Sequence, residues 1–170
     1  ARSRAPADMK TRRAVLAATL VLIALVLQTS FLGRLGLPGA TPDLVLVVVV
    51  ALSLAYGPGV GGVTGFIAGL LVDMAPPADG VVGLTALIGL AVGTITGAAI
   101  DPRDRTIVSI SGMVGASTGG AVILYAAMSS IVGGGRVDWS LVPGLALSAG
   151  LYGVLLGMAV VPFVTWAARR

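Results

Sequence analysis

Cysteine, histidine and glutamate are absent from the 170 residues, and all seven acids are aspartate. The first absence excludes disulfides and thiol chemistry, and the second excludes imidazole acid/base work and metal ligation. Charge is scarce too: 11% of residues are charged against 56% hydrophobic, with a mean hydropathy of +1.03. A soluble domain carries about a quarter of its residues as charges. Alternating strands of about ten residues, which a membrane barrel requires, are also missing, since runs such as Leu44–Ala55 do not alternate.

What is present is a series of apolar runs between short polar breaks. A helix needs roughly 20 apolar residues to cross a hydrocarbon core of about 30 Å, so the chain reads as an all-α polytopic membrane protein, a six-helix transmembrane bundle. Residues 1–13 form a basic tail without a predicted fold, in which Met9-Lys10 reads as an alternative start; 14–168 form a single domain. Helix 1 covers about Ala14–Leu32. No small-x-small cleavage site follows it, so it reads as a retained signal anchor. Thr41-Pro42-Asp43 opens helix 2, with Thr41 as N-cap, Pro42 in the first position and Asp43 facing the positive dipole end. Helix 2 spans Leu44–Tyr56, and Gly57-Pro58-Gly59 turns into helix 3, Val60–Met74. Helix 4 covers Val81–Ile100, helix 5 Thr106–Val132, and helix 6 runs from Trp139 to about Ala167. Helices 2 and 3 read equally as two spans or as one re-entrant hairpin.

The net charge of +4 does not point to nucleic acid, because the basic residues flank apolar runs instead of forming one patch. Nine of them (Arg2, Arg4, Lys10, Arg12, Arg13, Arg103, Arg105, Arg169, Arg170) fall on one side of a six-helix topology, and only Arg34 and Arg136 on the other. The positive-inside rule then places both termini in the cytoplasm.

Small residues at a spacing of four dominate the helices. Gly61, Gly65, Gly69 and Asp73 follow one another on helix 3, and Gly89, Gly93, Gly97 and Asp101 repeat the pattern on helix 4. Positions four apart lie above one another on a helix, so each series is a smooth groove ending in a carboxylate. Gly115 and Gly119 on helix 5, and Gly153 and Gly157 on helix 6, are further small stripes suited to close helix packing. Helices 3 and 4 are expected to pack tightly. The helix 3 groove, with Asp73 and Asp43 at its outer end, is the candidate contact for a partner helix or else is filled internally. Asp73 reads equally as an interfacial carboxylate that satisfies the turn at 75–79. Asp101 is expected to pair with Arg103 and Arg105. No catalytic constellation can be built from aspartates scattered over both sides, no ionisable residue falls in mid-membrane, and no cofactor or metal is implied.

Laid out this way, the chain resembles the MreD family of bacterial rod-shape-determining proteins. The resemblance rests on Leu27-Gln28-Thr29-Ser30, Pro42-Asp43-Leu44, Gly57, Gly61, the Gly65-Phe66-x-x-Gly69-Leu70-x-x-Asp73 stretch and Gly83-Leu84. It implies a non-catalytic scaffold in the bacterial cytoplasmic membrane that supports peptidoglycan synthesis and cell shape. An MreC-like protein would be its partner, with RodA, a class B penicillin-binding protein and, indirectly, MreB nearby, and membrane lipids around it. The family is also similar in fold to the substrate-binding subunits of energy-coupling-factor vitamin transporters, which supplies a second reading. In that reading Ala14 and Ala18 would meet a transmembrane partner, and Arg136, Asp138 and Trp139 would be the ligand-binding candidates.

Overall fold

The structure is a computed structural model that describes residues 5–32, 38–75, 81–99, 106–132 and 137–169. The described residues form six helices: α1 (Ala5–Ser30), α2 (Leu44–Tyr56), α3 (Pro58–Met74), α4 (Leu84–Ala99), α5 (Ile107–Val132) and α6 (Val142–Arg169). α1 starts nine residues before the expected helix, so most of the stretch read as a structureless tail is helical, with Pro6 in its first turn where the missing N–H costs nothing. The expected ion pairs of Asp101 lie outside the described residues.

α1, α5 and α6 contain apolar stretches long enough to cross a membrane. α2, α3 and α4 are shorter, with 13, 17 and 16 residues, or about 20, 26 and 24 Å at 1.5 Å per residue. Their role follows from where they pack. α2 is apolar all round, and a helix without a polar face belongs inside. Every residue from Leu44 to Leu54 is buried, and α2 touches all five other helices. The exposed large apolar side chains lie outside it, among them Leu22, Ile67, Ile95, Ile123, Leu147 and Phe163. An apolar exterior around an apolar core is the pattern of a membrane protein, whose outer surface faces lipid instead of water.

Around α2 the other helices form two antiparallel pairs, α3 with α4 and α5 with α6, and α1 lies along its remaining side. Gly57, at φ +90°, is the single residue between α2 and α3. That left-handed backbone favours glycine, and Pro58 in the first position of α3 starts the return helix.

The α3–α4 pair is the tightest contact. A Cβ added to Gly65 would meet the Gly89 carbonyl, with its carbon 2.6 Å away, and one added to Gly69 would lie 2.6 Å from the Ala86 Cα. Gly61 faces Gly93 and the Ser53 side chain of α2, and Gly97 faces Pro58 with 2.6 Å to its Cα. Backbone therefore touches backbone along both helices. In the second pair a Cβ on Gly119 would sit 2.8 Å from the Ala146 carbonyl oxygen. One on Gly115 would meet Val154, and those on Gly153 and Gly157 would meet Thr118 and Val114.

This geometry separates the glycines by consequence. Gly65→Ala and Gly89→Ala should each lower stability by about 1–3 kcal/mol through overpacking against backbone that cannot yield. Gly120→Ala, with nothing within 4 Å, should leave stability unchanged or raise it by up to about 1 kcal/mol. Thermal melting of purified protein in mild detergent would check this, and equal shifts at all three positions would contradict the packing.

Candidate functional site

The groove expected to receive a partner helix on Gly61, Gly65 and Gly69 is filled by α4 of the same chain. The two stripes are each other's complement, which is the internal of the two occupants that the groove allowed.

Asp73 has an internal task as well. Its Oδ2 accepts from the Gly83 N–H at 2.8 Å and the Ala86 N–H at 3.3 Å, which satisfies free donors at the start of α4. A carboxylate that opposes the dipole of its own helix is thus placed at the favourable end of the next one. Asp43 serves α2 in the same way. It is the N-cap, two residues later than Thr41, and its Oδ1 accepts from the Leu46 N–H at 2.9 Å. Gln28 of α1 completes the cap, its Oε1 accepting from the Val45 N–H at 2.9 Å while its side chain also hydrogen-bonds Asp43. In a low-dielectric surrounding such donors have no water to fall back on, so Gln28 and Asp43 fix the end of the central helix together. Asp43 and Asp73 are therefore caps within the fold.

The segment ahead of α2 is tied to α6. The Ala40 N–H donates to Ser148 Oγ at 2.9 Å, and the Tyr152 hydroxyl to the Pro38 carbonyl at 3.0 Å. Asp138, in the turn before α6, accepts from the Ser140 hydroxyl at 2.6 Å and the Ser140 N–H at 3.1 Å. These bonds hold its carboxyl below the usual range.

Two concave features remain. The first is a groove of about 550 Å³ between α1 and α3. Ala14, Ala17 and Ala18 form one wall, and Gly59, Val60 and Thr64 belong to the other. The Arg13 guanidinium closes one end, 5.3 Å above the Tyr56 ring, a cation–π contact that joins α1 to the far end of α2. The second is a cleft of about 280 Å³ between the two helix pairs, with α2 behind it and Thr41, Asp43, Thr85 and Tyr125 in its lining. Neither Thr85 nor Tyr125 belongs to a sequence motif; Thr85 lies in the first turn of α4, where the preceding backbone is not yet helical.

A family model described as rod shape-determining protein MreD matches residues 9–101. The chain belongs to the MreD family. The match runs from α1 through α4 and so contains the Gln28–Asp43 cap, the α3–α4 glycine contact, the Asp73 cap and every wall of the α1–α3 groove. The cleft is only partly inside it, because α5 and α6 contribute Thr118, Ala121, Val122, Tyr125 and Ala149. No curated protein and no solved structure matches the chain significantly. Membership makes rod-shape determination the role of the family to which this membrane protein belongs.

Asp43→Ala and Asp73→Ala should each cost about 1 kcal/mol of stability, whereas the Asn variants, which retain an accepting oxygen, should lose much less; melting of the four variants side by side would test the capping roles. Ser140→Ala should raise the Asp138 pKa toward the ordinary carboxylate value, read by NMR titration. Because that pKa is depressed in the folded protein, the associated stabilisation is present above the ordinary value and fades as pH falls through the folded one.

Proposed function

We propose that this chain is a non-catalytic subunit of the bacterial cell-elongation machinery, and that it holds the membrane helix of an MreC-like partner in the groove between α1 and α3. The groove is the observation that carries the reading. It follows α1 from Arg13 to Leu22 for about 14 Å and has alanine and glycine in its walls, so a third helix can approach closely. It also lies wholly within the segment that matches the rod-shape family. Ala14 and Ala18 are both exposed there, which leaves their small side chains available to an outside helix.

In this reading the protein sits in the cytoplasmic membrane with both termini inside, as the nine-to-two distribution of basic residues indicates. Docking the partner places it beside RodA, a class B penicillin-binding protein and the MreB filament, and so supports peptidoglycan synthesis and cell shape. A transporter's substrate-binding subunit would use the same alanines against a coupling subunit, and the family match favours the first reading.

Co-purification in mild detergent from native membranes tests both. Wild type should bring down an MreC-like protein, and Ala14→Leu/Ala18→Leu should reduce its recovery at least tenfold without altering the melting temperature, since both side chains are exposed. Unchanged recovery would remove the groove from the interface. Recovery of an ATPase pair with a membrane coupling subunit would replace the scaffold reading by the transporter one.

A further inference from the structure

The cleft between the helix pairs shares no lining residue with the α1–α3 groove, since the two use opposite faces of α3. Its chemistry changes along its depth. α2 and α4 begin, and α5 ends, at the same end of the bundle, as the antiparallel pairings and the Ser148–Ala40 bond require. Thr41, Asp43, Thr85 and Tyr125 all belong to that end. Going inward along α2 from Asp43 to Val49, about 9 Å, the walls become Leu46, Ala68 and Ile88, with the backbone contact of Gly65 and Gly89 beneath.

The threonines at the polar end stand apart from the other described threonines. Thr19, Thr29, Thr64, Thr94, Thr96, Thr118 and Thr165 each donate to the carbonyl four residues back. The hydroxyls of Thr41 and Thr85 make no such bond among the described residues, and neither does that of Tyr125, which shares this with Tyr56, Ser117 and Ser129 outside the cleft. Three exposed or half-buried hydroxyls with no partner among the described residues, set around an apolar hollow, form a site of the kind that orients a ligand by few polar groups and holds it by many apolar ones. Asp43 is the one acid in the lining, and no Lys or Arg joins it. It hydrogen-bonds the Leu46 N–H, the Gln28 side chain and the Val45 N–H, which leaves about one of the roughly four positions at which a carboxylate accepts. The head group that suits this end is therefore a hydrogen-bond donor, and a cation suits it better than an anion.

We propose that this cleft binds one amphiphile, an alkyl chain seated along Leu46, Ala68 and Ile88 with a primary ammonium head among Thr41, Asp43, Thr85 and Tyr125. An aminophospholipid of the surrounding membrane and a soluble alkylamine share that chemistry, and the test separates them.

Native mass spectrometry of the purified chain in mild detergent would be titrated separately with dioleoyl-phosphatidylethanolamine, dioleoyl-phosphatidylglycerol and nonylamine. The expected result is one bound ethanolamine lipid per chain, at least tenfold tighter than the glycerol lipid. Binding of nonylamine with no preference between the lipids would support the site with a soluble ligand. Thr85→Val/Tyr125→Phe should weaken binding at least tenfold without moving the melting temperature, because neither hydroxyl holds another part of the fold. Ala121→Trp, which fills the hollow from α5, should abolish it while partner capture through the groove persists. Equal affinity for all three probes, or wild-type binding by both variants, would overturn the proposal.

Discussion

A short helix without a polar face has to be covered on every side, and α2 imposes that requirement on the rest of the bundle. Thirteen residues give it about 20 Å, too little to cross a bilayer by itself and too apolar to lie at the surface. Five helices surround it, and glycine lets so many fit. Where α3 meets α4 the backbones touch, so the pair is thin enough to cover one flank of α2 without displacing α5 and α6. The ends of α2 receive separate treatment: Gln28 and Asp43 satisfy the first turn, and Gly57 turns the chain back within one residue.

Much of this was legible in the residues. The four-residue glycine period marks a helix face with no side chains, and the bounds of helix 2 follow from Pro42 and Gly57. The occupant of the helix 3 face was not legible, because a period identifies a groove and not what fills it. The complement stood in the same sequence 28 positions later, at Gly89, Gly93 and Gly97, yet two matching stripes are compatible with pairing to each other or to separate partners. Only the fold places Gly89 over Gly65.

The aspartates show the same limit in electrostatic form. Read along the chain, Asp73 opposes the dipole of α3, and an outside contact explains it as well as the turn that follows does. Read in space, it lies at the start of α4 and completes that helix. Sequence order could not show that the end of one helix and the start of the next share a carboxylate. Thr85 escaped for a related reason: a threonine in a helix is commonly satisfied by its own turn, and Thr85 lacks that bond among the described residues.

The central position of α2 also bears on how the protein is made. More than 100 residues separate the end of α2 from the end of α6, so at roughly 5–20 residues per second its cover is incomplete for about 5–20 s of synthesis. Gln28 and Asp43, only fifteen positions apart, emerge together and can cap the helix from the outset. α3 follows after one residue and α4 closes on α3 by glycine contact, so half of the cover is local in sequence. The flank that α5 and α6 protect is completed last, and until then the insertion machinery or lipid must stand in for them against the valines of α2.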